Sequence, residues 1–254
     1  MSARRLLGPA LLLVALAIWE VWARAEASFL IPPPSAVAER AWYVWPTREF
    51  LGDVRASLTR LAAGFGIGAF AGVAFGLLVG SSVRARGVFE PLLELLRAVP
   101  PIAVVPVAIV VFGLGDAMLV SVIAFGVFFP VFVHTAEGVR GVAPEARDTA
   151  ALLHVGAAER IYLVYLPAAL PSIAAGFRVA LSIGLVLVVV SELTGASNGL
   201  GYSILRHQRD FDMPGMYGGL VFLGLLGYIL NRFLLLAERR LLAWHHGAVG
   251  AVER

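Results

Sequence analysis

The sequence predicts an all-α, polytopic membrane protein with about six transmembrane helices. Two observations carry that expectation. Of the 254 residues, 59% are hydrophobic, and the mean hydropathy is +0.86. A soluble domain of this length sits near half apolar. Only 15% of residues are charged, and they gather in clusters between long apolar runs, as they must if each run crosses ~30 Å of hydrocarbon.

The first apolar run covers Leu6 to about Ala23, after Arg4 and Arg5. Ala23-Arg24-Ala25 and Ala25-Glu26-Ala27 have the A-x-A form of a signal-peptide cleavage site. Trp19, Glu20 and Trp22 fit an interfacial aromatic belt on a retained helix better. Arg24 to Arg55 is polar and carries Pro32, Pro33, Pro34 and Pro46. Consecutive prolines cannot continue a helix, so this is an extra-membrane segment, with a short amphipathic helix around Ser35 to Trp45. The second helix spans about Leu58 to Gly80. Gly64, Gly68, Gly72, Gly76 and Gly80 recur every four residues along it, a strip for close helix packing, which lipid itself does not drive.

The third helix spans about Phe89 to Val111. Glu90, Glu94 and Arg97 are spaced to pair on one side of it. Pro100, Pro101 and Pro106 kink it, a feature of helices lining a pathway and equally of plain structural bends. After the turn Gly113-Leu114-Gly115-Asp116, the fourth helix runs from about Ala117 to Thr135. Glu137 to Tyr165 is polar, with helical composition from Glu145 to His154. Pro167 and Pro171 precede a fifth helix from about Ile173 to Thr194, Gly195 to Pro214 is a loop, and the sixth helix runs from about Met216 to Ala237. Arginines outnumber on the side shared by Arg4, Arg5, Arg84, Arg86, Arg140, Arg147, Arg160, Arg239, Arg240 and Arg254. The positive-inside rule places that side, both termini and the 137–165 loop in the cytoplasm.

Composition also excludes chemistry. The chain has no cysteine, so disulfides and thiolate metal sites are absent. All 20 basic residues are arginine, and a P-loop needs a lysine to reach the phosphates. Any use of ATP must therefore come from a partner. The arginines form no basic stripe with aromatics, so a formal charge of +3 does not imply nucleic-acid binding. No H-E-x-x-H, G-x-S-x-G or paired-histidine spacing occurs within a span, which leaves a membrane-embedded enzyme, a metal site or a bound cofactor without support. His134 is a lone histidine favouring packing over proton relay, and His245 and His246 lie in the solvated tail. Glu192, an ionisable group at membrane depth, is either a functional group on a pathway or a partly hydrated helix-end residue. A cytoplasmic helix tied to two spans, as in 137–165, suits mechanical coupling to a partner, but an ordinary amphipathic loop accounts for it more readily.

Four blocks then carry a resemblance that covers nearly the whole chain, from Ile31 to Trp244. They are Leu92 to Asp116 with its double proline, Phe128-Phe129-Pro130, Gly138 to Pro171, and Ser191 to Tyr202 followed by Ala237-Glu238-Arg239-Arg240. In this order and spacing the chain resembles the permease subunits of type I ABC importers, the binding-protein-dependent inner-membrane components, and within them the nitrate, sulfonate, taurine and bicarbonate class.

The resemblance implies three divisions: 1–53, the first helix and a periplasmic segment; 54–238, the transmembrane type-1 domain; and 239–254, a cytoplasmic tail. It implies a homodimer in the inner membrane of a bacterium, ATP-binding cassette ATPase subunits as partners, and a periplasmic or lipid-anchored solute-binding protein that meets Arg206 to Asp212. The solute it implies is a small anion; a pyrimidine or riboflavin precursor is the alternative within transport, and a passive channel the alternative outside it. The family's ATPase-docking loop falls on Asp148, Ala150, Ala151, His154 and Gly156, and Pro100, Pro101, Pro106 and Glu192 are assigned to the pathway. His154 stands where a glycine is nearly always found, with Gly156 two residues later. Either the loop is shifted by two residues or a histidine replaces the glycine.

Overall fold

The computed structural model describes residues 4–26 and 28–242; the tail residues His245, His246 and Arg254, and Ala27 of the A-x-A pattern, lie outside them. Every element among the described residues is helical. In chain order they are α1 (Arg4–Glu26), α2 (Pro34–Val44), α3 (Arg48–Ser81), α4 (Val83–Arg97), α5 (Val105–Phe112), α6 (Asp116–Arg140), α7 (Pro144–Leu152), α8 (Ala157–Arg160), α9 (Leu166–Gly195), α10 (Leu200–Arg209) and α11 (Met213–Leu241). A 3-10 turn, Pro101–Val104, leads into α5, and a π turn, Ile161–Tyr165, joins α8 to α9. Among the described residues, α3, α6, α8–α9 and α11 are each long and apolar enough to cross a membrane, and α4 with α5 makes a fifth, bent span. The first apolar run of the sequence is α1.

Local chemistry explains most boundaries. Pro34 and Pro144 stand at the first position of α2 and α7, where a missing N–H costs no helical bond and the fixed φ suits the helix. The Ser82 hydroxyl accepts the Ala85 N–H at 3.3 Å and caps α4. The turn before α6 needs φ +73° at Gly113 and +133° at Gly115, values that L-residues avoid.

The chain folds as two compact units. The larger holds residues 57–197 and the chain from 227 onward. Its centre is α6, enclosed by α3 on one side and α9 on the other. A side chain at any of the five strip glycines would strike α6. A Cβ at Gly64 meets Ile123, at Gly68 Val127, at Gly72 Val131, at Gly76 Thr135 and at Gly80 Val139. Each partner lies 59 positions on, so the two helices run in constant register, every fourth residue against every fourth. On the opposite side, Cβ atoms at Gly138 and Gly176 would press on α9's Ser172 and on His134 respectively. Met118, Leu119, Val122, Ile123, Val127 and Val131 of α6 are consequently buried to 1% exposure or less.

The smaller unit holds the chain up to residue 56 and residues 198–226. Its polar hub is Asp212. Its carboxylate accepts from Arg40 Nε at 2.8 Å and from the Gly215 amide at 3.0 Å, and sits 3.0 Å from His207 Nδ1. Burial pushes this carboxyl up, but the Arg40 guanidinium, the Gly215 amide and His207 outweigh burial and hold it below the ordinary range. Asp53 accepts the Gly199 amide at 2.8 Å, and the Trp19 and Tyr217 rings meet at 6.0 Å.

Three elements differ from the sequence expectation. The single kinked third helix is two helices bent by 89° about residues 98–100, because Pro100-Pro101 removes two consecutive donors. The fifth helix starts at Ala157 rather than Ile173 and continues to Gly195. The π turn resets the hydrogen-bond phase before Pro167, which then falls in the first turn of α9, and Pro171 is absorbed within the helix. The 195–214 loop contains α10, a ten-residue helix whose buried face includes Leu200, Ser203, Ile204 and His207.

The glycine register gives a direct prediction. Gly72→Ala places a Cβ 2.8 Å from the Phe128 carbonyl and from Val131 Cβ, so it should cost about 1–3 kcal/mol. Gly66→Ala meets nothing within 4 Å and should be neutral or stabilise by up to ~1 kcal/mol. Thermal unfolding midpoints of the two variants in detergent test the difference.

Candidate functional site

The segment between α6 and α9 is built as a rigid projection. Residues 141–143 turn the chain, and α7 begins at Pro144. Arg147 reaches back and donates to the Val139 and Arg140 carbonyls at 3.1 and 2.6 Å. These are among the last carbonyls of α6, which lack helical donors. Ala150 is buried beneath the helix at 4% exposure, whereas Leu152 and Leu153 are 79% and 72% exposed. Asp148, Ala151, His154 and Gly156 are exposed as well.

α7 ends in a Schellman motif. The Val155 amide donates to the Ala150 carbonyl at 3.0 Å and the His154 amide to the Ala151 carbonyl at 3.1 Å. The residue between these two bonds must be left-handed, a place glycine normally takes. Here it is His154, at φ +53°. Gly156 has φ −60°, so it does not take over that conformation. The Gly156 amide donates instead to Glu159 at 3.4 Å, and Arg160 donates to the Val155 carbonyl at 3.2 Å.

The break between α4 and α5 opens onto a cavity of about 440 Å³ at the middle of α6 and α9. Arg97, Val99, Pro101, Phe129, His134 and Ile183 are among its walls. Pro100 and Pro106 are exposed. His134 Nδ1 is 2.8 Å from the Pro130 carbonyl; a carbonyl only accepts, so Nδ1 carries the proton. Glu90 pairs with Arg140 at 2.8 Å rather than with Arg97, and Arg178 pairs with Glu238 at 3.0 Å.

Glu192 sits at the other end of α9 and is fully enclosed, its side chain 0% exposed. Both carboxylate oxygens accept from the Ser57 hydroxyl at 2.8 Å, and Arg60 Nη1 donates to Glu192 Oε1 at 2.8 Å. Arg60 Nε also reaches Asp116 at 2.8 Å. One guanidinium thus joins α3, the start of α6 and α9.

Residues 64–243 match the model of the family described as binding-protein-dependent transport system inner membrane component. The chain belongs to this family. The permease is 34% identical over 239 residues to SsuC of Bacillus subtilis (strain 168), a protein named for aliphatic sulfonates transport, covering 93% of this chain and 87% of that one. It is 29% identical to the taurine transport system permease protein TauC of Escherichia coli (strain K12), covering 92% and 88%. It is 30% identical to the bicarbonate transport system permease protein CmpB of Synechococcus elongatus, covering 89% and 86%. A solved amino acid ABC transporter chain superimposes with a TM-score of 0.59 at 19% identity, over 75% of this chain and 93% of that one, and so shares the fold. The protein is a multi-pass permease subunit of an ABC transporter in the inner membrane.

Within this permease, sequence reasoning missed Arg60 and Arg147. Arg60 is 132 positions from its carboxylate partner; its one signal was an arginine inside an apolar run, where an unpaired charge is costly. Arg147 gave no signal, since its acceptors are backbone carbonyls.

Two expected outcomes follow from this geometry. Arg60→Ala strands the buried Glu192 charge and should cost about 3 kcal/mol, read as a lower unfolding midpoint. His154→Gly should relieve about 0.5–1 kcal/mol at the left-handed position, and His154→Val should do the reverse. Hydrogen exchange of the Val155 amide, slower in the first and faster in the second, checks both.

Proposed function

We propose that this permease is the membrane subunit of an ATP-driven importer of a small anion, working as a homodimer with its N-terminus and the α7 loop in the cytoplasm. Two ATPase subunits dock on α7, and a solute-binding protein delivers the anion at the Glu192 end. The observation that carries this reading is the construction of α7. An exposed helix with Leu152 and Leu153 turned outward is clamped to α6 by Arg147 and runs on into α9. A push on α7 is therefore a push on two membrane-spanning helices. Asp148, Ala151 and His154 share the exposed surface, while Ala150 supports the helix from within. The anion is favoured because relatives named for sulfonate, taurine and bicarbonate transport match almost end to end.

Tagged permease purified from gently solubilised membranes should bring an ATPase subunit in near-equal amount, and the eluate should hydrolyse ATP. Leu153→Asp removes an apolar side chain worth about 1.5–3 kcal/mol when buried, so co-purified ATPase should fall about tenfold or more while the unfolding midpoint stays put. Full retention of the ATPase and of ATP-dependent uptake in Leu153→Asp would show that α7 is not the docking element.

A further inference from the structure

The cavity at the α4–α5 break offers one cation and apolar walls, and we propose that it is a membrane-embedded station for the transported anion, with Arg97 as the anion-holding residue. This deepens the importer reading and rests on it.

Arg97 ends α4 and is exposed to the cavity. A cation there suits the helix dipole, but the dipole leaves its five N–H groups without acceptors. No ion pair to Arg97 occurs among the described residues: Glu90, one of the acids on its helix, is taken by Arg140. The remaining nearby acids, Glu94 and Glu137, share a second cavity with Arg97 but form no ion pair with it among the described residues. This smaller cavity, of about 160 Å³, meets the first at Arg97 and Val133. Among the described residues Arg97 and His134 are the only titratable ones on the wall of the larger cavity, and His134 turns its proton to the Pro130 carbonyl. An arginine at the depth of mid-α6 is tolerated only where it faces a hydrated cavity or a counter-charge.

The class of ligand follows from the wall. A guanidinium offers a planar fork that suits a sulfonate or carboxylate through two parallel hydrogen bonds. Val99, Phe129 and Ile183 accept a short apolar body beside it. A backbone break at membrane depth is also what discontinuous helices use to form solute sites. The chemistry selected is a small anion with a compact apolar end, held by one bidentate contact, which keeps binding weak enough for release.

The absence of cysteine makes the test clean. Val99→Cys and Ile183→Cys each place a single thiol on the cavity wall, one at the α4–α5 break and one on α9. In the assembled transporter in liposomes, the labelling rate at each position is read by mass spectrometry with two methanethiosulfonate reagents, one ending in a sulfonate and one in a trimethylammonium. Rates are normalised to a free thiol in solution. With Arg97 present, the sulfonate reagent should be favoured about tenfold, and ethanesulfonate should slow labelling. Arg97→Gln should bring the normalised ratio close to one and abolish protection, and Arg97→Lys should keep most of the preference. A ratio unmoved by Arg97→Gln at both positions, or a preference for the cationic reagent, would overturn the station. The labelling does not require ATP-driven uptake, so a transporter that fails to import sinks the importer reading alone.

Discussion

The fixed register of α3 on α6 is the constraint on which the remaining structure depends. Lipid tails are as apolar as leucine, so helices gain little by merely leaving them. What holds the pair is contact between backbone and β-branched side chains, five times over, at distances that no Cβ on α3 would permit. Ile123, Val127, Val131, Thr135 and Val139 are stiff at χ1, so each glycine faces a fixed shape rather than an adaptable one. With α3 locked on one side, α6 presents its remaining surface to α9, and Pro101 and Gly126 line the cavity there.

The two ends of α6 are tied differently. At Asp116 the tie is to Arg60, with Asp116 75% exposed, and the same guanidinium holds the enclosed Glu192 of α9. The Arg60–Glu192 pair, which joins α3 to α9, is expensive to break because each partner would remain buried alone. At Arg140 the ion pair to Glu90 is 34% and 32% exposed, a class of interaction contributing little in water. The Arg147 clamp holds carbonyls, not a charge.

Much of this was legible in the amino-acid order. The glycines at fourfold spacing announce a packing face, consecutive prolines mark where α2 begins, and the polarity of 137–165 marks an exposed helix. Pattern reading stops where structure depends on what happens between elements. The double proline predicts a bend but not 89°, because the angle is set by where α5 finds room. The π turn has no composition of its own, and it hid the true start of the α9 span behind Pro167. α10 went unread because its ten residues mix apolar and charged types at a net polarity typical of loops. The His154 departure was visible, but only the backbone shows that the histidine occupies the left-handed position itself.

Treated as a rod, α6 has mechanical leverage. Its 25 residues measure about 37 Å end to end. If the Asp116 end is the fulcrum, a tilt of roughly ten degrees sweeps the Arg140 end through about 6 Å, close to one helical turn. Small rotations near Asp116 and large displacements near α7 are then the same motion, and the length of the helix fixes the ratio between them.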